Sequence, residues 1–290
     1  MFSTLKQVAK AARYTSFVTL KDLMANPRPA KGEEATKALE ALNRDGFVNL
    51  GCLIPLGDLP QVIAGGLEKG ETLHPGVTRF YLKNPLKVAP ALDQWLRHPV
   101  LNEIVRAYLG GDTVFDRCLV WRIPAAANKR NTSAIWHHDW CGRRLKLFVL
   151  LHDVGETGRP TQFVKGSHKG QLRWMNYQFS RYSDQNAESR GEVVKLTGKA
   201  GDCILLDTNG LHRATGEGGY EARDIICMEY SDRAKSDSLA PRRFEIGIRK
   251  DILPDDFQLE GTLLSPAHVR KEGGSKVYGS VPQLESEPFV

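Results

Sequence analysis

Apolar and polar positions follow two rhythms, a helical one over about the first 110 residues and a strand-like one after it. Over residues 33–45, Ala35, Leu39 and Leu42 recur at helical spacing and Asp45-Gly46 supplies a stop. Phe47 to Leu50 reads as a short strand, and Asp58 is placed to cap a second helix with Pro60 in its first turn. The strongest helical stripe runs from Trp95 to Leu109, with Leu101, Ile104, Val105 and Tyr108 on one side and Gly110-Gly111 at the end. It predicts one continuous helix supporting the outside of a sheet.

From Val114 onward the apolar runs shorten. Val114 to Ile123, Ala134 to Asp139, Leu145 to Val154, Thr161 to Lys165, Glu192 to Leu196, Cys203 to Asp207 and Arg223 to Tyr230 lie between Gly, Pro and Asn turns. Seven or eight short strands with few helices among them predict a mainly β, sandwich-like barrel with flanking helices. Two stretches break the pattern. Residues 70–93 are loop-like, and residues 170–191 are polar yet carry Trp174, Tyr177, Phe179 and Tyr182, which reads as a lid. Beyond Asp232 one further strand is expected, from Arg243 to Ile248.

Within this frame Trp136-His137-His138-Asp139 carries the candidate chemistry. Side chains two apart on a strand share a face, so His137 and Asp139 aim at one point while His138 faces away. A second imidazole from a distant strand would complete two histidines and a carboxylate, the open-sided ligand set of non-haem Fe(II) oxygenases. His212 in Leu211-His212-Arg213-Ala214 is the proposed third ligand. Arg223 follows after the turn signal Gly216-Glu217-Gly218-Gly219. Two adjacent antiparallel strands joined there would bring its guanidinium near the metal, suited to gripping a carboxylate. Iron beside an arginine-held dicarboxylate describes a 2-oxoglutarate site.

Four pieces in order resemble the phytanoyl-CoA dioxygenase-like family of Fe(II)/2-oxoglutarate oxygenases. They are Trp136 to Asp139, the run from Gly158-Arg159-Pro160-Thr161 to Gly166-Ser167-His168-Lys169, Leu211-His212-Arg213, and Arg223. The stretch Ala38 to Val48 is similar to the helix-to-strand opening of such domains. The resemblance implies a double-stranded β-helix (jelly-roll, cupin-like) core, Fe(II) held by His137, Asp139 and His212, and 2-oxoglutarate and O2 as co-substrates. It departs from the family pattern at Lys165, where a proline is usual, and at Ala214, where a hydroxyl residue is common. Thr215 is then the candidate for that accessory contact to the co-substrate, although a regular strand would point it the other way. A carboxylate at position 139, which halogenating members lack, implies hydroxylation or a related oxidation.

The expected organisation is a basic N-terminal segment (1–32), an oxygenase domain (33–250, jelly-roll core about 114–231) and a C-terminal extension (251–290). The first 21 residues hold four basic and no acidic side chains; they read as a basic amphipathic helix, the alternative being a targeting peptide. Net charge is +6, from 40 basic and 34 acidic residues, and it is spread along the chain, which argues against a nucleic-acid partner. Five scattered cysteines without a Cys-x-x-Cys pair fit a reducing, cytoplasmic setting. No apolar run is long enough to span a membrane. A small-molecule substrate and a monomer or homodimer are expected.

Several residues receive plainer readings. His168 is taken as structural, His152-Asp153 as a strand end, and Arg143, Arg144 and Lys146 as a solvated charge run, with an anionic-substrate contact as the alternative. Cys141 is expected near the site and open to oxidation. The competing functional classes are a zinc-dependent hydrolase using the same ligands and a non-catalytic binding module on the same fold.

Overall fold

The structure, a computed structural model, describes residues 16, 20, 28–67, 71–72, 80–82, 85–110, 112–123, 134–139, 142–169, 182–215, 222–233, 260–261 and 263. Expectations about the N-terminal basic helix, the turn at 216–219, Cys141, residues 170–181 and the strand from Arg243 to Ile248 lie outside these residues.

The helical part opens with α1 (Glu33–Asp45), followed by β1 (Phe47–Cys52) and α2 (Leu59–Leu67). Gly46 ends α1 in the left-handed region, at φ 88°, with its N–H donating to the Leu42 carbonyl. A Cβ there would also stand 2.5 Å from the His168 ring, so both conformation and space require glycine. After β2 (Glu71–Thr72), β3 (Phe80–Tyr81) and α3 (Pro85–Val88) come α4 (Asp93–Arg97) and α5 (Pro99–Leu109). The single helix expected from Trp95 to Leu109 is thus two. Pro99 has no N–H and disfavours helical backbone in the residue before it, so His98 is extended (φ −63°, ψ 117°) and caps α5 by accepting from Leu101 N–H.

The strands that follow are β4 (Thr113–Ile123), β5 (Leu145–Leu150), β6 (Thr161–Val164), then after the short α6 (Asp184–Glu188) β7 (Val193–Leu196), β8 (Asp202–Asp207), β9 (His212–Ala214) and β10 (Arg223–Asp232). They form an antiparallel sheet in the order β1-β8-β5-β10-β4-β3-β2 and a smaller one in the order β7-β6-β9. This is the jelly-roll arrangement of a double-stranded β-helix.

Alternation along the large sheet sorts its two faces. Leu145, Leu147, Val149, Leu205, Ile226 and Met228 pack outward against Leu101, Ile104, Val105 and the other helical residues. Phe148, Leu150, Ile204, Leu206, Ile225 and Cys227 point inward and meet Phe163 and Leu196 of the small sheet. Each such side chain, wholly removed from water, contributes roughly 1.5–3 kcal/mol. The inward face therefore builds the barrel interior in which the candidate residues sit.

One expected connection is different. The strands carrying His212 and Arg223 do not form a hairpin: β9 pairs with β6 in the small sheet, whereas β10 pairs with β4 and β5 in the large one. The chain crosses between sheets at that point, and short apolar runs do not reveal a change of sheet.

Candidate metal centre

The run Ala134 to Asp139 does not form a regular strand; Trp136 and His137 make single antiparallel bridges to Tyr182 and His212. That suffices to place the ligands. His137 and His212 are bridged through their backbones, and Asp139 N–H donates to the Thr208 carbonyl at 2.8 Å. One ligand-capable atom from each of His137, Asp139 and His212 lies within 4.8 Å of the others, and all three residues are buried. Both imidazole Nε2 atoms stand 3.9 Å from the same oxygen, Oδ1 of Asp139.

The tautomers are fixed by the chain. Nδ1 of His137 is 2.7 Å from the Ile135 carbonyl and Nδ1 of His212 is 3.0 Å from the Gly210 carbonyl. A carbonyl oxygen only accepts, so each Nδ1 carries the proton and each Nε2 presents its lone pair to Asp139 Oδ1. Burial, and then the neighbouring His137, lowers the His212 pKa to about 3, so it is a neutral donor at physiological pH. Two imidazole nitrogens and one carboxylate oxygen suit a divalent first-row metal and leave one side open. His138, as expected, is not among the three; it is fully buried, with Nδ1 2.7 Å from the Asp139 carbonyl.

The loop that delivers His212 is braced by the Gly-Ser-His turn. The Ser167 hydroxyl accepts from Leu211 N–H at 2.8 Å, and the His168 carbonyl accepts from Asn209 Nδ2 at 3.1 Å. Lys165 in place of proline has a local reason: its N–H donates to the Glu192 carbonyl at 2.8 Å, a bond proline would forfeit. On the outer side Arg213 stacks 4.4 Å over the Trp136 ring, and both Arg213 and Trp136 Nε1 donate to Asp184 at the start of α6.

Sequence reasoning missed a buried charge cluster. Arg144, read as solvated, is instead buried, and Lys146, read the same way, is largely covered, with 17% of its side chain exposed. Lys146 Nζ is 2.5 Å from Asp139 Oδ2 and 3.6 Å from Glu229 Oε1, while Arg144 pairs with Glu229 and approaches Asp139 Oδ2 to 3.9 Å. Lys146 and Glu229 are cross-strand partners in the β5–β10 register. Burial opposes ionisation of Asp139, but the cations Lys146 and Arg144 hold its carboxyl well below the usual range. The legible signal was one lysine and one glutamate, each within an otherwise apolar strand run (Leu145 to Leu150 and Ile225 to Tyr230).

Arg223 shares the inward face of β10 with Ile225, Cys227 and Glu229, six residues or roughly 20 Å of strand from the last. It is buried, and no carboxylate pairs with it among the described residues. Burial alone lowers its pKa to about 10, which leaves it cationic at neutral pH. Its Nη1 donates to the Arg159 carbonyl and its Nε has no hydrogen-bond partner. Thr215 donates its hydroxyl to the next carbonyl, Pro160, so Arg223 and Thr215 meet at one short segment. Arg159 itself holds a left-handed conformation at φ 58°, rare for a residue with a side chain.

Fold and donor set together define a class: jelly-roll proteins with a two-histidine, one-carboxylate facial site. Residues 77–219 match the model of the phytanoyl-CoA dioxygenase (PhyH) family. The matched segment holds all three candidate ligands and ends just before Arg223. An ectoine dioxygenase from Bordetella bronchiseptica is 24% identical over 190 residues, an alignment covering 57% of this chain and 60% of that protein. The chain thus spans about three-fifths of that relative's length. Among solved structures, EctD from S. alaskensis with bound Fe superposes with a TM-score of 0.56 at 17% identity, over 72% of this chain and 83% of the other. The epimerase SnoN in complex with Fe3+, alpha ketoglutarate and nogalamycin RO gives 0.51 at 19% identity, over 68% and 83%. At these identities the superpositions speak for the fold.

Proposed function

We propose that the protein is a non-haem Fe(II)- and 2-oxoglutarate-dependent dioxygenase that oxidises, in the simplest case hydroxylates, a C–H bond of a small-molecule substrate. The carrying observation is the pairing of an open-sided His137–Asp139–His212 donor set with a buried guanidinium, Arg223, that lacks a carboxylate partner. A cation kept out of water without a counter-charge is costly. A diacid ligand supplies that charge at one end and metal-chelating oxygens at the other, as 2-oxoglutarate does. Bound iron would supply O2 activation coupled to conversion of 2-oxoglutarate into succinate and CO2.

The chain's own residues do the rest. His137, His212 and Asp139 would hold the metal. Arg223, with Thr215 beside it, would orient the co-substrate's far carboxylate. The inward apolar side chains exclude water from the interior. Residues 33–250 are the proposed oxygenase domain, and SnoN and EctD, with their small-molecule ligands and iron, support the choice of co-substrate and metal.

The zinc-hydrolase alternative needs a carboxylate to act as general base on a metal-bound water. Glu229 and the outer oxygen of Asp139 are already engaged by Arg144 and Lys146. No disulfide joins the described cysteines, which supports a cytoplasmic setting. The test is anaerobic reconstitution with Fe(II), addition of 2-oxoglutarate and O2, and measurement of succinate across a substrate panel. Iron-dependent succinate release is expected. Failure of the iron-loaded protein either to bind or to turn over 2-oxoglutarate would overturn the reading.

A further inference from the structure

We propose that Lys146 is a positioning residue that restricts Asp139 to one-oxygen ligation, keeping coordination positions open for the co-substrate. The inference rests on the functional reading above and adds a residue to it. The two oxygens of Asp139 have separate surroundings. Oδ1 stands 3.9 Å from both ligand imidazoles, whereas Oδ2 makes an ion pair with Lys146 Nζ at 2.5 Å and has no hydrogen-bond partner. For the carboxylate to chelate a metal through both oxygens, Oδ2 would have to leave Lys146 and turn toward the histidines.

The lysine is itself held. Glu229 lies directly opposite on β10 and reaches Lys146 Nζ at 3.6 Å, and Glu229 in turn pairs with Arg144. Asp139, Glu229, Lys146 and Arg144 carry two negative and two positive charges, so the buried group is neutral before a metal enters. Each member is paired, and such networks resist rearrangement because any broken pair leaves a charge buried. An ordinary carboxylate ligand in a flexible setting has no such restraint.

A second consequence separates this role from simple structural support. A fixed cation beside the ligand carboxylate also repels an incoming metal ion. Replacing it should therefore move two affinities in opposite directions. In Lys146→Met the metal should bind more tightly, and the co-substrate, deprived of an open position, more weakly. General damage to the site would weaken both.

The experiment titrates the full-length apo-protein with Co(II), whose visible absorption reports coordination number, and then the Co(II)-loaded protein with 2-oxoglutarate under nitrogen. Lys146→Met is expected to tighten Co(II) by roughly tenfold, to weaken 2-oxoglutarate by at least about tenfold, and to alter the Co(II) spectrum. Lys146→Arg should stay near wild type on all three. Because Lys146→Met leaves Glu229 with one cation fewer, Lys146→Met/Glu229→Gln restores neutrality and serves if the single variant does not fold. Parallel weakening of both ligands, or wild-type affinities and spectrum in a folded variant, overturns the proposal. If wild-type Co(II)-protein binds no 2-oxoglutarate, the functional reading fails instead, while the Co(II) affinities and spectra still decide whether Lys146 restrains Asp139.

Discussion

His137 and His212 each donate a backbone N–H to the other's carbonyl, at 3.1 and 2.8 Å, and their rings lie 4.5 Å apart between centroids. The main chain thus aligns the two imidazoles through hydrogen bonds that do not involve the ligand atoms, and that separation of scaffold from ligand has measurable consequences.

Removing a ligand side chain should leave the fold standing. His212→Ala is expected to retain the circular dichroism of the parent and to lose at least about a hundredfold in Co(II) affinity by calorimetry. Asp139→Ala should be the less stable of the two, by about 1–3 kcal/mol relative to the parent in urea, because the largely covered Lys146 loses its closest partner and keeps only Glu229. Stoichiometric, tight metal binding by either variant would contradict the assignment of ligands.

Arg223 behaves differently from a structural arginine. Arg223→Leu removes a buried cation that no described carboxylate compensates, so the melting temperature of the ligand-free protein should not fall. In the parent, 2-oxoglutarate with metal should raise that temperature; in the variant the rise should vanish. A variant that melts markedly lower, yet keeps the ligand-induced rise, would show that the guanidinium supports the fold and not the co-substrate.

Gly46 links the helical layer to the site's bracing turn. Gly46→Ala adds a side chain at φ 88° and drives a Cβ to 2.5 Å from the His168 ring. A loss of about 1–3 kcal/mol is expected in chemical denaturation. Gly46→Ala/His168→Ala should recover the steric part only, since the backbone strain remains. Full additivity of the two substitutions would mean that no clash exists.

Acidification should destabilise the ligand-free protein. Burial lowers the pKa of His212 to about 3 and also lowers those of His168 and His98. These groups bind fewer protons folded than unfolded, so stability is complete above the unfolded histidine value, near 6.5, and falls as pH drops below it. Asp207, raised by burial, acts in the opposite sense from the carboxylate range upward. Three histidines against one aspartate predict a melting temperature that declines between pH 7 and pH 5. A flat profile over that interval would argue that these imidazoles are solvated.

Much of this was legible in the sequence because it is local. The His-x-Asp spacing, the Asp45-Gly46 stop, the alternation that sorts Leu145, Leu147 and Val149 from Phe148 and Leu150, and the order of the motif pieces are all properties of neighbouring residues, and backbone geometry converts them directly into faces and ends. Even the break before α5 was written in Pro99, though the apolar stripe across it suggested continuity.

What only the tertiary structure decided concerns partners. Nothing local says that β9 and β10 belong to different sheets, that a bridge of two backbone hydrogen bonds sets His137 beside His212, or that Lys146 is answered by Asp139 and Glu229 while Arg223 is answered by no described carboxylate. A sequence records which charge each side chain brings. Whether that charge is paired, solvated or left waiting depends on strands distant in the chain, and burial then fixes its energetic meaning.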